Sequence, residues 1–268
     1  QLWPDSVVPI LDGDAYWYRV ARGYVPRFGL QPMMLSRATP TVHLPEESFW
    51  AEVGGPVAVV RQHCAADAPL ITRIGHGGTA YVTSSLLDDS SGMVWYAISS
   101  EQGGEHLGWT QAQVWQPVTL TPIRGGDTEI VINVAAQALM AMENGSALMQ
   151  APISTSEDIP RGTFSLAWRR VGSTLSQSSG ETLYGVPWRI GLGVEGDRFA
   201  SLEIVGAYWH NFFGMPHQSR RILEPEAGTS SPNASNSEDD MTIQVSPLVA
   251  RWLFQWLGVD GFGRVIIE

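Results

Sequence analysis

The sequence predicts a mostly β protein, and three observations carry that reading. Twenty-eight glycines and 17 prolines cut the chain into short segments. Eleven tryptophans fall mainly in stretches that alternate with Val, Ile and small residues, a pattern that suits a half-buried pleated surface. Helical periodicity is confined to one segment near the C-terminus.

Composition bounds the rest. A chain of 268 residues allows one large domain or two to three small ones. With 44% apolar and 16% charged residues it can build real cores and is not a disordered chain. The net charge is −11, and all 16 basic residues are Arg. An acidic chain without a basic stripe is a poor binder of nucleic acid and of anionic lipid. No apolar run reaches the ~18–20 residues of a membrane helix, so no transmembrane segment is expected. The single cysteine, Cys64, excludes an internal disulfide and any multi-thiolate metal site. No cofactor and no metal are expected. The chain opens on Gln1 rather than Met, and the expectation is an exported, cell-surface protein whose signal segment has been removed.

Taken in order, the N-terminal half contains an internal echo. Residues 16–32 run Tyr-Trp-Tyr-Arg-Val, Gly-Tyr-Val and Leu-Gln-Pro; residues 95–118 run Trp-Tyr-Ala-Ile, Gly-Trp and Trp-Gln-Pro-Val. Each reads as the closing strands of a small barrel. The second copy also has opening strands, in the alternating stretch 50–63 and in 70–86 around a Gly-His-Gly-Gly turn. This pattern resembles a bacterial SH3-like domain. It implies a partial SH3-like unit at 1–33, a Pro-containing linker at 34–46 and an SH3-like barrel at 47–120.

Beyond a boundary near Pro117–Gly126, residues 129–142 and 146–154 read as a hairpin around Glu-Asn-Gly. Strands follow at Gly-Thr-Phe-Ser-Leu-Ala-Trp and Val186-Pro-Trp-Arg-Ile, and 217–240 reads as a long exposed loop. A helix is predicted over 246–257, with Ser246 as N-cap, Pro247 at the first position and Gly258 as the stop. Leu248, Val249, Trp252, Leu253, Trp256 and Leu257 share its core-facing side. The last segment, Gly263-Arg-Val-Ile-Ile, is a strand.

Residues 121–268 resemble an L,D-transpeptidase catalytic domain of the YkuD type. The carriers are Ile-Val-Ile-Asn-Val running into Gln-Ala-Leu, Pro160-Arg-Gly-Thr-Phe, Gly185-Val-Pro-Trp, Gly206-Ala-Tyr-Trp-His-Asn-x-Phe-Gly-x-Pro and Val245-Ser-Pro-x-x-Ala-Arg-Trp-Leu-Phe-x-Trp. The resemblance implies an L,D-transpeptidase-like β-sandwich with one C-terminal helix, preceded by one and a half SH3-like small barrels. The whole chain looks like a multidomain cell-wall transpeptidase of the Chloroflexi type.

In the active family a cysteine thiolate attacks a peptide carbonyl, a His serves as base and backbone N–H groups hold the oxyanion. The family signature is Ser-His-Gly-Cys-Val-Asn just before the helix. Counting back from Ser246-Pro247, the nucleophile falls on Thr242, the His on Asp240 and the Asn on Gln244; the earlier His of the cleft falls on Val205. No Cys or His lies between 218 and 268, so a shift in register restores neither group. The insertion between Pro216 and Met241 sits where a catalytic loop would have to be held in place.

The resemblance leaves Tyr208, Trp209, His210 and Asn211 as candidates for binding a ligand in the old cleft. Cys64 reads as a small buried hydrophobe. His63 and Cys64, as adjacent strand residues, would point to opposite faces and share no ion. Asn144 and Asn233 lie in Asn-x-Ser sequons and are glycosylation candidates; Asn144 also serves as a turn residue. Two classes of function stand. One is an exported non-catalytic protein, either a structural subunit assembling with copies of itself or other surface proteins, or a peptidoglycan-binding module. The other is a divergent transpeptidase or hydrolase acting on wall stem peptides.

Overall fold

The structure is a computed structural model that describes residues 6–14, 16–27, 30–35, 47–89, 91–121, 126–176, 180–194, 202–215, 241–257 and 263–268. It is mostly β. The chain divides into two compact units, Gln1–Thr119 with Tyr208–Asn211, and Leu120–Ala207 with Phe212–Glu268.

The first unit begins with a small antiparallel sheet, β1 (Asp12–Gly13), β2 (Trp17–Val20) and β3 (Gly23–Pro26), in that order. Asp14 builds the turn into β2: its carboxylate accepts from the backbone N–H groups of Tyr16 at 2.8 Å and Trp17 at 2.7 Å. Those two bonds, that from Tyr16 first, hold its carboxyl below the usual range. A seven-stranded sheet follows: β4 (Phe49–Val53), β5 (Val57–Arg61), β6 (Leu70–Gly75), β7 (Thr79–Asp88), β8 (Met93–Ser99), β9 (Gly108–Gln111) and β10 (Trp115–Pro117), in the order β10-β4-β7-β8-β9-β5-β6. Alternation delivers its core. Ala51 and Val53, Ala58 and Val60, Ala80 and Val82, and Tyr96 and Ile98 are buried at two-residue spacing. Both echo segments form antiparallel pairs, β2 with β3 and β8 with β9. The sequence reading of His63 and Cys64 as strand residues is corrected: both lie in bends between β5 and β6. Cys64 is half-buried rather than a core residue, and desolvation still raises its thiol pKa.

The second unit is one nine-stranded mixed sheet. Its strands are β11 (Thr128–Asn133), β12 (Ala138–Glu143), β13 (Ser146–Pro152), β14 (Ser154–Thr155), β15 (Gly162–Ser176), β16 (Thr182–Gly193), β17 (Leu202–Gly206), β18 (Thr242–Val245) and, after helix α1 (Pro247–Trp256), β19 (Gly263–Ile267). Their order is β13-β12-β11-β19-β15-β16-β17-β18-β14. β19 runs parallel to β11 and β18 parallel to β17. The stretch 129–142, expected as one arm of a hairpin, holds two strands. Asn133 accepts from the Ala136 N–H at 2.7 Å, and Gln137 takes a left-handed φ of 48° to complete a turn inside it. The Asn144-Gly145 turn closes β12 onto β13 with φ of 48° and 77°.

Helix α1 has the expected start. Ser246 Oγ accepts from Val249 N at 3.4 Å, and Pro247 sits in the first turn where no N–H is needed. The buried side differs from the sequence reading. Leu248 is 70% exposed, whereas Ala250, Leu253, Phe254, Trp256 and Leu257 are buried. The buried stripe runs i, i+3, i+4, i+7 from Ala250, which puts Leu248 on the opposite side of the helix. Ala250 is small because Gly206 of β17 lies against it: a Cβ on Gly206 would stand 3.2 Å from the Ala250 Cβ and 2.9 Å from Pro187 Cγ. Trp188 meets Phe254 edge-on at 5.3 Å, and Arg169 donates to the Phe254 carbonyl at 2.5 Å. That bond satisfies a carbonyl near the helix C-terminus.

Candidate functional site

The site is built where β17, β18 and β14 lie side by side. In the parallel β17–β18 pair Glu203 stands in register with Thr242 and Val205 with Gln244. These four side chains therefore share one face of the sheet. Ser154 of β14 joins them opposite Gln244. Ile204, Ile243 and Val245 take the opposite face and are fully buried.

Thr242 is 2% exposed. Its hydroxyl accepts a hydrogen bond from Gln244 Nε2 at 3.1 Å, and its carbonyl accepts from Thr155 Oγ1 at 2.9 Å. Thr155 is held in turn by Gln137, which donates to its carbonyl at 3.2 Å and accepts from its N–H at 2.9 Å. A segment fixed on both sides by strand pairing and by this clamp is part of the sheet. The Val205 side chain is fully buried.

One strand further in, buried Arg189 of β16 forms an ion pair with half-buried Glu203. Its Nε donates to Glu203 Oε2 at 2.7 Å and Nη2 also reaches that oxygen. Nη1 donates to Ser173 Oγ at 2.5 Å and to the Thr174 carbonyl at 2.6 Å. The Arg189 guanidinium lies 5.9 Å from the centre of the Trp168 ring. Trp168 itself covers Gly191, where a Cβ would come within 2.3 Å of the ring. Glu203, engaged by Arg189, is the carboxylate in register with Thr242.

Asp240 and Asn233 fall outside the described residues, as does the predicted loop 217–240 and the helix stop Gly258. Tyr208, Trp209, His210 and Asn211 belong to the first unit, whereas Val205 and Thr242 belong to the second. Tyr208 is buried in the core of the seven-stranded sheet unit, with Trp209 half-buried against it and edge-on at 5.4 Å. His210 and Asn211 are buried, and Asn211 Nδ2 donates to Tyr18 Oη at 3.0 Å and to the Arg27 carbonyl at 3.2 Å. Asn144 is exposed at its turn, with Oδ1 accepting from Asp127 N at 3.1 Å. Among the described residues no cluster of His, Cys, Asp and Glu could hold a metal ion, and no helix is long and apolar enough to cross a membrane.

Sequence reasoning missed the Arg189–Glu203 pair and Gln137. The pair had a signal: Arg189 and Glu203 are each a lone charge in an apolar strand, and a buried charge needs a partner. Gln137 had none, because its role depends on a turn that the sequence did not disclose.

No protein-family model matches the chain, and no curated protein matches it by sequence. Solved structures similar to it are L,D-transpeptidases. A mutant of the Enterococcus faecium enzyme is 18% identical, with 54% of this chain and 50% of that chain covered and a TM-score of 0.35. This chain thus spans half the length of that structure. The Mycobacterium tuberculosis enzyme is 12% identical, with 66% and 90% covered and a TM-score of 0.38. The Mycobacterium smegmatis enzyme is 14% identical, with 84% and 99% covered and a TM-score of 0.38.

Proposed function

We propose that this chain is an exported, non-catalytic, L,D-transpeptidase-like cell-surface protein, with SH3-like modules in its N-terminal half. The observation that carries the reading is the state of the nucleophile position: Thr242 is 2% exposed inside a strand paired on both sides, and Gln244 occupies its hydroxyl. The motifs around it, from Gly185-Val-Pro-Trp to Ser246-Pro247, support descent from the transpeptidase framework. The face that would carry chemistry is filled instead by a hydrogen-bonded polar network. Such a network holds a sheet together; it does not open to a substrate.

On this reading the protein serves as a structural subunit of the cell surface, and its material partners are other surface-protein chains. Wall binding through Tyr208–Asn211 is the weaker form of the proposal, because Tyr208, His210 and Asn211 are buried. The test is incubation with tetrapeptide stems from peptidoglycan, read by mass spectrometry for cross-linked or hydrolysed products. The account expects the stems unchanged. Any turnover above a Thr242→Val control would overturn it in favour of a divergent transpeptidase or hydrolase.

A further inference from the structure

The shortest strand of the nine-stranded sheet is held by one side chain. β14 has two residues, Ser154 and Thr155, and stands at the sheet edge beyond β18. Its ladder has two positions, Ser154 against Gln244 and Thr155 against Ile243. No strand pairs with its outer side, and Gln137 stands in for one. The Gln137 side-chain amide takes both backbone groups of Thr155: Oε1 accepts from the N–H at 2.9 Å, and Nε2 donates to the carbonyl at 3.2 Å. Exchange of both bonds with one neighbour is how an antiparallel ladder is built. Here an amide side chain completes it. Nε2 also donates to the Val134 carbonyl at 2.9 Å, and the Gln137 carbonyl accepts from the Ile153 N–H at 2.9 Å.

This arrangement carries strain. Gln137 has a φ of 48°, a left-handed conformation that a residue with a Cβ adopts at a cost. Such a conformation persists only where the surroundings fix it. Gln137 is 2% exposed, and the bonds of its own amide do the fixing. Without the amide, Thr155 loses two partners at once and the turn loses what holds it left-handed.

On its other side the same strand closes on Thr242. Thr155 Oγ1 donates to the Thr242 carbonyl at 2.9 Å. Ser154 stands opposite Gln244, whose amide donates to the Thr242 hydroxyl. The segment is anchored at both ends. Ile153 is fully buried and its carbonyl accepts from the Gly214 N–H at 2.7 Å; Ile159 is 2% exposed. The residues between fixed anchors can swing out while the rest of the sheet stays paired.

We propose that Ser154–Thr155 is a strap bolted by Gln137. Loss of the bolt releases the strap from β18 and opens the Thr242 position to solvent while the rest of the sheet remains folded. The closed state of the Thr242 position thus depends on one residue more than a hundred positions away in sequence.

The test is maleimide labelling of the full chain carrying Cys64→Ser and Thr242→Cys, so that the thiol at position 242 is the sole one, over a urea series below the unfolding midpoint. With Gln137 in place labelling is expected to be slow. Adding Gln137→Ala is expected to raise the rate in the folded protein about 10- to 100-fold, the effect of losing one or two net hydrogen bonds. That rate is expected to change little with urea, because a local opening exposes little surface. Gln137→Glu keeps the acceptor for the Thr155 N–H and loses both donations, so a smaller rise is expected. A rate that Gln137→Ala leaves unchanged would overturn the strap. So would a rate that climbs with urea at the slope of global unfolding, since Gln137 would then support the whole unit and bolt nothing. Hydrogen exchange of the unsubstituted chain tests the same point whether or not Gln137→Ala folds. The Thr155 N–H is expected to exchange through an opening nearly independent of urea, and the Ile204 N–H of β17 only on global unfolding. Exchange of both at one urea slope would overturn the proposal. These readings follow motion and not turnover of stem peptides, so failure here is distinct from failure of the non-catalytic reading.

Discussion

Gln244 and Thr242, two residues apart on β18, are joined by a 3.1 Å hydrogen bond from the Gln244 amide to the Thr242 hydroxyl, with both side chains buried. The resemblance read from the sequence sets a nucleophile at Thr242 and an asparagine at Gln244. Here the pair turns inward and serves the sheet.

Replacing Thr242 therefore acts on stability. Thr242→Val keeps the shape and deletes the acceptor, leaving a buried amide short of one bond. The expected loss is about 1–2 kcal/mol, read as a lower midpoint in urea at unchanged slope. Thr242→Cys puts a thiol at this position without exposing it. The expected result is a thiol that a maleimide labels only when the protein is unfolded; rapid labelling of the native variant would contradict the burial.

The Arg189–Glu203 pair makes a sharper case. Removing one partner leaves a buried charge unpaired, and Arg189→Met or Glu203→Gln is expected to cost about 3–5 kcal/mol. Replacing both together with apolar residues is expected to cost less than Arg189→Met alone. Urea unfolding of the three variants checks this. An equal loss in the double variant would mean that the bonds from Arg189 to Ser173 and Thr174 carry the energy instead.

Ser246→Ala removes the N-cap of α1, and the 3.4 Å bond it deletes is long. The expected cost is about 0.5–1 kcal/mol, at the low end for caps. Thermal unfolding followed by circular dichroism reads it, and a loss of several kcal/mol would point to a wider role for Ser246 in the sheet-to-helix turn.

Cys64 supplies the pH dependence. Desolvation disfavours the thiolate, so the folded pKa lies above the ordinary value of 9.0. The protonated thiol is the form the fold favours. Its stabilising effect is present in full below about 9.0 and is lost as pH rises through the raised folded value. Alkylation by iodoacetamide should be slow at neutral pH and climb with pH beyond the point where a free thiol levels off. A plateau below pH 9.0 would contradict the shift.

How far the sequence was legible follows from what each signal depends on. The helix start was legible, because Ser246-Pro247 is local chemistry. The helix face was misread, because which side is buried depends on the angle at which α1 meets Gly206 and Trp188. Alternation disclosed β4, β5 and β7, whose cores need period two and little else. The turn at Gln137 was not legible: a left-handed Gln has no common signature, and its side chain is fixed by Thr155, distant in sequence. At the site, the absence of Cys and His between 218 and 268 was plain in the letters. The burial of Thr242 and the lock on Glu203 were not, since both come from the pairing of β17 with β18, across a gap of some 35 residues in sequence.

The central claim is that the transpeptidase nucleophile has been replaced by a closed polar network, and intact-mass spectrometry after incubation with a carbapenem tests it most directly. The account predicts the mass of the unmodified chain, with Cys64 the sole thiol and outside the second unit. A covalent adduct mapped to any residue other than Cys64, and above all to Thr242, would contradict it.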